Sequence, residues 1–174
     1  DLSIGRVGHS GQWRLNRPSI GLANVAQPTG NGDEVMISEW FANGQVALSK
    51  EFIEIHNPED LPADISGMLL TDSPNTALRR HVIDPYSFIA AGGYAVISPL
   101  DFNLSSTMDL IGIANEGGEV IDTVIYGVQT EDYSQVRDVS GNGEIVFSRL
   151  PTPGIPSPGQ AESQHLLSLL DGLR

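Results

Sequence analysis

The sequence predicts an all-β protein in which two antiparallel sheets pack together. Short apolar segments with strand periodicity recur along the chain, and clusters of turn-forming residues separate them at the spacing of a β-sandwich. Glycine and proline account for 19 and 11 of the 174 residues, which favours many short elements over long helices. The length allows one domain with additional segments at its ends.

Five segments carry the strand signal. In "EFIEIHN", residues 51–57, the alternation places Ile53 and Ile55 on the face opposite Glu54. The segment "MDLIGIANEGGEVIDTVIYG", residues 108–127, predicts a hairpin because two β-rich stretches flank a glycine-containing turn. The other three predicted strands are "VMISEWF" (35–41), "GGYAVIS" (92–98) and "EIVFSR" (144–149).

A polar residue ends one of these strands. In "HNP", Asn57 is suited to bond the backbone of the following turn, because short amide side chains commonly do so. Pro58 cannot donate to a strand ladder and therefore blocks further pairing.

A short helix is predicted at the C-terminus. Ser157 suits the N-cap and Pro158 the first helical position. Four leucines then share one helical face, namely Leu166, Leu169, Leu170 and Leu173. An isolated helix of this length is marginal in water, so we expect the stripe to have a partner. A second chain bound through these leucines would give a dimer.

The charge excludes several classes of partner. Nine Lys and Arg residues against 22 Asp and Glu residues give a net charge of −13, and such a surface repels nucleic acid and anionic membranes. No apolar run reaches the ~20 residues that span a bilayer. We therefore expect no nucleic-acid partner and no membrane insertion. The absence of cysteine excludes disulfides and thiolate sites.

Six motifs occur in order between residues 35 and 155. They are "MISEWF", "EFIEIHN", "DISGMLLTD", "GGYAV", "EVIDTVIYG" and "FSRLPTPG". This order resembles the lamin tail domain, which implies an immunoglobulin-like antiparallel β-sandwich over residues 35–155. Ser38 and Ala91 depart from the family pattern, which has Asn or Thr and Pro at these places. Similar domains bind partner proteins and, weakly, DNA in lamins, and in bacteria they occur in secreted multidomain proteins, often beside hydrolase domains.

The closing motif of this domain occurs twice. Residues 6–21, "RVGHSGQWRLNRPSIG", and residues 137–154, "RDVSGNGEIVFSRLPTPG", both run from an Arg through a glycine-rich turn to a second Arg and a Pro-Ser/Thr-x-Gly ending. We interpret residues 1–34 as the tail of a preceding similar module, with an added strand of the same sandwich as the alternative. Residues 156–174 are interpreted as a helical linker towards a following module, so the chain would be one unit of a longer array.

The sequence predicts no catalytic residues and no organic cofactor. Glu39 and Glu54 lie on neighbouring predicted strands, and paired carboxylates can perform acid–base chemistry or bind Ca²⁺. We favour a structural role, on a solvated face or in bonds to backbone groups. No nucleophile elbow, Walker loop or dinucleotide fingerprint occurs. The dispersed aromatic residues are interpreted as core or inter-domain filling rather than a sugar platform: Trp13, Trp40, Tyr94 and Tyr126.

One loop is a candidate Ca²⁺ site. The segment "DVSGNGE", residues 138–144, places oxygen-bearing side chains at alternate positions, as in the first half of an EF-hand loop. These candidate ligands are Asp138, Ser140, Asn142 and Glu144. Arg149 stands at the twelfth position, where an EF-hand has its bidentate Glu. The alternative is a glycine-rich hairpin loop with turn hydrogen bonds.

The sequence therefore predicts a non-catalytic interaction or spacer module of a secreted or cell-surface bacterial multidomain protein. Its partners would be neighbouring domains or other proteins. The alternative function is Ca²⁺-assisted binding of a glycan or a cell-surface polymer.

Overall fold

The computed structural model describes residues 2–9, 11–45, 50–73, 80–138 and 143–157, which form an all-β, antiparallel structure. A 3₁₀ helix, Gly32–Glu34, precedes the third strand. No helix in the described part of the chain has the length and apolar character needed to cross a membrane. The strands are β1 (Ser3–Val7), β2 (Gln12–Asn16), β3 (Met36–Phe41), β4 (Phe52–His56), β5 (Ala63–Asp64), β6 (Leu69–Thr71), β7 (Arg80–Val82), β8 (Phe88–Ile89), β9 (Tyr94–Ile97), β10 (Asp109–Ala114), β11 (Val120–Tyr126), β12 (Ser134–Arg137) and β13 (Ile145–Ser148).

Two sheets form the sandwich. A five-stranded sheet has the order β13-β12-β3-β4-β9, and a four-stranded sheet has the order β11-β10-β6-β7. Strands β5 and β8 make a small separate sheet, and β1 pairs with β2. The predicted antiparallel β-sandwich is confirmed, and all five predicted strand segments form strands. The predicted C-terminal helix falls on residues 158–174, outside the described residues, as do its four leucines. The dimer therefore stays a prediction, which the mass of the chain in solution tests.

The core lies between the two sheets. Trp40 and Tyr126 come from opposite sheets, and their ring centroids are 5.7 Å apart. On β4, Ile53 and Ile55 belong to the core cluster, as their alternation predicts. The other large side chains of this cluster include Ile37, Leu70, Ile111, Ile113 and Val124. Because cross-sheet contacts of this kind supply most of the stability of a sandwich, the two sheets behave as one unit.

The predicted hairpin at residues 108–127 is confirmed. Strands β10 and β11 pair along their length, and the turn closes through two backbone bonds: Gly118 N donates to Asn115 O at 2.9 Å, and Asn115 N donates to Glu119 O at 2.9 Å. The side chain of Asn115 also accepts a bond from Glu119 N at 3.0 Å. Gly118 has a φ of 85°, a conformation that glycine adopts without steric cost.

Asn57 organises the turn that follows β4, as predicted. Its side-chain Nδ2 lies within hydrogen-bond distance of three carbonyl oxygens, those of Leu61 (2.9 Å), Ala90 (3.0 Å) and Ile89 (3.3 Å). Its Oδ1 accepts a bond from Glu59 N at 3.1 Å. The residue is fully buried. One amide group therefore ties the turn after β4 to the chain leaving β8.

The hairpin β1–β2 lies beside the sandwich. Among the described strands, β1 and β2 pair only with each other. The linker returns to β2, because Gln27 N donates to Leu15 O at 2.7 Å. Trp13 meets Tyr86 edge-on with ring centroids 6.3 Å apart. The assignment of residues 1–34 to a preceding module stays a prediction.

Replacing Asn57 by Ala is expected to destabilise the chain by about 2–4 kcal/mol, because several buried backbone groups lose their partner. Asn57→Asp should cost at least as much, since a carboxylate cannot donate to the three carbonyl oxygens. Urea unfolding measures both. The exposed Thr123→Ala is the control and should stay within about 0.5 kcal/mol of the unsubstituted chain. An Asn57→Asp variant of unchanged stability would contradict this role.

Candidate functional site

A pair of buried carboxylates lies at the centre of the five-stranded sheet. Glu39 on β3 and Glu54 on β4 are directly opposite each other in the register, and neither side chain is exposed. The register shifts between Ile37, which pairs with Ile55, and Glu39, so Ser38 is an extra, bulged residue. Because a bulge shifts the alternation of a strand, Ile37 faces the core while Glu39 faces outwards.

Apolar side chains flank the two carboxylates along one row. The row crosses all five strands through directly paired positions, in the order Val146, Val136, Glu39, Glu54 and Val96. Each glutamate thus has a valine on its other side. Water is excluded from the two glutamates, whose exposure is zero, and a carboxylate in such surroundings needs hydrogen-bond donors to remain stable.

The donors come from residues 150–157, which we call the closing segment. Thr152 N donates to both carboxylate oxygens of Glu39, at 3.1 and 3.2 Å, and Thr152 Oγ1 donates to Oε2 at 3.0 Å. Gly154 N donates to Glu54 Oε2 at 2.7 Å. Ser38 Oγ, from the bulge, donates to Glu54 Oε1 at 2.7 Å. The closing segment therefore covers the two glutamates on the outer face of the sheet.

The Pro-Thr-Pro-Gly motif forms the turn that makes these contacts. Ile155 N donates to Thr152 O at 3.2 Å, and Gly154 has a φ of 84°. With Pro153 at its second position and Gly154 at its third, the turn matches the residue preferences of a type II turn. A Cβ placed on Gly154 would lie 3.8 Å from Val96, so the segment extends over β9.

The two carboxylates have a structural role. Burial raises the pKa of Glu54 to about 7; the hydrogen bonds from Ser38 and Gly154 oppose this rise, and the charge of Glu39 adds to it. With the closing segment in place, a substrate cannot reach either side chain. The geometry supports the predicted bonding to backbone groups and gives no support to a hydrolytic pair; a solvated face is wrong for both residues.

Asp122 forms a second, partly buried polar contact, one between the two sheets, which was not predicted from the sequence. It lies on β11, and its Oδ2 accepts bonds from Ile37 N at 2.8 Å and from Arg137 Nη1 at 2.6 Å. The acceptor and its two donors belong to different sheets, so Asp122 links the two layers at one edge. The sequence did mark this position, because Asp122 is part of the "EVIDTVIYG" motif.

The structure describes two of the four candidate ligands of the predicted Ca²⁺ site. Asp138 and Glu144 lie across the neck of the β12–β13 hairpin, where Asp138 N donates to Glu144 O at 2.8 Å. Ser140 and Asn142 fall outside the described residues. Within the described ranges, no group of three or more His, Asp or Glu residues is arranged to hold a metal ion. The Ca²⁺ site stays a prediction.

The aromatic residues divide between the core and a surface groove. Trp40 and Tyr126 are buried in the core, as predicted, and Tyr94 stacks on a histidine of β4. Trp13 and Tyr86 line a groove of about 510 Å³ between the β1–β2 hairpin and the sandwich. Both are about half exposed, at 48% and 50%. Trp13 thus lies at the junction between the β1–β2 hairpin and the sandwich, where it contacts Tyr86 and stays half exposed.

Comparison with known proteins identifies one family. The sequence profile of the Lamin Tail Domain family matches residues 28–128, which is more than half of the chain. The match extends from the linker before β3 to just beyond β11 and confirms the resemblance for the first five motifs. The closing motif, residues 147–154, lies outside the matched range, so its place in the domain stays a prediction. Searches of curated proteins and of solved structures found no match.

The raised pKa of Glu54 predicts a pH-dependent stability. Its ordinary value is 4.5 and its value in the folded chain is about 7, so between these pH values the folded state binds more protons than the unfolded state. The Glu54 contribution is fully present below about pH 4.5 and is lost as the pH rises through 7, by up to about 3 kcal/mol. Urea unfolding between pH 4.5 and pH 8 measures it.

Glu54→Gln is the matched variant for this measurement. Its amide can accept the Gly154 N–H and donate to the Ser38 hydroxyl, so the bonds persist without a titrating group. The difference in unfolding free energy between the two chains should change across pH 4.5–7 and level off above it. A difference that does not vary with pH would contradict the assignment.

The Ca²⁺ interpretation predicts a thermal shift. A cation that binds only the folded chain stabilises it by about 2.7 kcal/mol at 100 times its Kd, which corresponds to several degrees of melting temperature at this size. Millimolar Ca²⁺ should then raise the melting temperature, and Asp138→Asn should abolish the rise. An unchanged melting temperature at millimolar Ca²⁺ would leave residues 138–144 as a turn.

Proposed function

Because the chain belongs to the Lamin Tail Domain family, we propose that it is a non-catalytic interaction and spacer module. The observation that carries this proposal is the closing segment bonded across Glu39 and Glu54. It occupies the pair of side chains best suited to acid–base chemistry. It also fixes the direction in which the chain leaves the sandwich. A non-catalytic spacer has no free catalytic pair, and it holds the chain that leaves it in a fixed direction. The closing segment provides both of these properties.

The sandwich offers its edges and loops for recognition. Strands β9 and β13 end the five-stranded sheet, and β7 and β11 end the four-stranded sheet. Edge strands carry backbone groups that can pair with an added strand. The acidic composition favours partners with a basic surface, and we place those partners among the neighbouring domains or other proteins.

We further propose that the module belongs to a secreted or cell-surface bacterial multidomain protein, which rests on the motif resemblance. Ca²⁺-assisted binding of a glycan or a surface polymer is the alternative function. It depends on residues 138–144, and the Ca²⁺ titration described above decides it.

A spin-label distance tests the spacer role. The chain contains no cysteine, so a label pair can be introduced at Thr123→Cys on the four-stranded sheet and Ile155→Cys on the closing segment. Both positions are exposed. We expect a narrow distance distribution in the intact chain by double electron–electron resonance. Adding Glu39→Ala and Glu54→Ala should broaden it, because the closing segment loses its acceptors.

A second label pair, Thr123→Cys and Glu131→Cys, is the control within the sandwich. Its distribution should stay narrow in both backgrounds, which separates release of the closing segment from general unfolding. A broad Thr123–Ile155 distribution in the intact chain would refute a fixed exit direction.

A further inference from the structure

The chain contains two hairpins of the same construction. Strands β1 and β2 form one, and strands β12 and β13 form the other. Each opens with a serine and carries an arginine three residues later. Counted from those serines, the paired positions correspond one to one: Ser3–Asn16 with Ser134–Ser148, Ile4–Leu15 with Gln135–Phe147, Gly5–Arg14 with Val136–Val146, and Arg6–Trp13 with Arg137–Ile145.

The two hairpins also lead into the same turn. Residues 19–22 and 152–155 each form a β-turn, closed by a bond from the N–H of the fourth residue to the carbonyl of the first, at 2.8 and 3.2 Å. The third residue of each turn is a glycine with positive φ, 76° at Gly21 and 84° at Gly154. The hairpin and its turn are thus repeated as one unit, with two additional residues in the second copy, one between Arg137 and Ile145 and one, Leu150, before the turn.

The two copies differ in what the turn binds. In the second copy, the hydroxyl of Thr152 bonds to Glu39 on β3, the strand next to β12. In the first copy, Ser19 Oγ donates to Asn24 Oδ1 at 2.6 Å, and Asn24 Nδ2 donates to Arg6 O on β1 at 2.8 Å. Asn24 therefore lies against β1 and accepts the hydroxyl bond of the first turn, as Glu39 accepts the hydroxyl bond of the second turn.

The charge of residues 2–32 and the exposed side chains of the first turn indicate which kind of surface the first copy would bind. Residues 2–32 contain three arginines and no acidic residue, whereas residues 33–174 contain 6 basic and 21 acidic residues, a net charge of 6 − 21 = −15. The turn leaves apolar side chains in water, with Ile20 at 99% and Leu22 at 79% exposure. A basic hairpin with an apolar turn complements an acidic sandwich with an outer face that needs covering.

We propose that the β1–β2 hairpin and residues 17–22 are a second closing element, which docks on the sandwich of another lamin tail module. Strand β1 would pair with the β3 of that module, as β12 does here, and Ser19 and Gly21 would donate to a pair of buried glutamates. The partner is thus an acidic lamin tail sandwich with paired glutamates on its outer face. This inference rests on the proposed interaction role and names the partner.

Exchanging the turn residues tests whether the sequence of the first turn (residues 19–22) can bond to Glu39 and Glu54 in place of the second turn (residues 152–155). We call this variant the transplant. The substitutions Thr152→Ser, Pro153→Ile and Ile155→Leu give the second turn the sequence of the first, Ser-Ile-Gly-Leu. We expect the melting temperature to stay within about 2 °C of that of the original chain, and Glu39→Ala to lower it equally in both backgrounds. Thr152→Ile, Pro153→Ser and Ile155→Leu give the same composition without a hydroxyl at position 152 and should melt several degrees lower. A transplant that melts as low as this control overturns the proposal.

Association in solution tests docking itself, with the chain's own sandwich as the acceptor. Thr152→Pro removes both the N–H and the hydroxyl that bond to Glu39, and so leaves this glutamate open to the first turn of another chain, while β12 stays paired with β3. This variant should self-associate at about 100 µM in analytical ultracentrifugation, and adding Ser19→Pro, the matched change in the first turn, should restore the mass of the unmodified chain. A Thr152→Pro chain of unchanged mass, or association that is insensitive to Ser19→Pro, overturns the proposal.

The two experiments are independent of each other and of the proposed spacer role. The transplant keeps every donor, so it does not depend on the Thr152→Pro chain folding. The spin-label distance reports on residues 150–157 alone, so it can succeed where docking of the first hairpin fails.

Discussion

The structure depends on the burial of two carboxyl groups in one sheet. Removing a carboxylate from water costs several kcal/mol unless donors replace the lost hydration, and the sheet supplies only the Ser38 hydroxyl. The remaining donors come from residues 113 and 100 positions later in the sequence. The donor set of strands β3 and β4 is therefore complete only when the closing segment has returned to them. This long-range closure makes the closing segment part of the fold.

Much of the fold could be predicted from local pattern. The alternation in β4 identified its core face, because Ile53 and Ile55 recur with the period of a strand. The β10–β11 turn followed from its glycines, one of which adopts a conformation that other residues avoid. The role of Asn57 followed from its chemistry and from the proline after it. In each case the determining residues are adjacent in the sequence.

The candidate site was less predictable, because its determinants lie far apart. Glu39 and Glu54 were identified as a pair, but their burial depends on a segment about 100 residues away. Strand β12 was missed because "SQVR" lacks a strand pattern, and its Ser134 and Gln135 are buried for tertiary reasons. The Ser38 bulge leaves no local signal either, since Ser38 departs from the family pattern without a turn residue nearby.

That bulge also determines which change in the length of β3 the sheet can absorb. Ser38 is the extra residue, and on either side of it Ile37 pairs with Ile55 and Glu39 pairs with Glu54. A deletion of Ser38 would therefore restore a regular strand in which Glu39 still faces outwards and Trp40 still faces the core. The loss would be the hydroxyl that donates to Glu54. In alignments of related sequences, a one-residue gap at position 38 would thus indicate a module with the same outer face but one hydrogen-bond donor fewer.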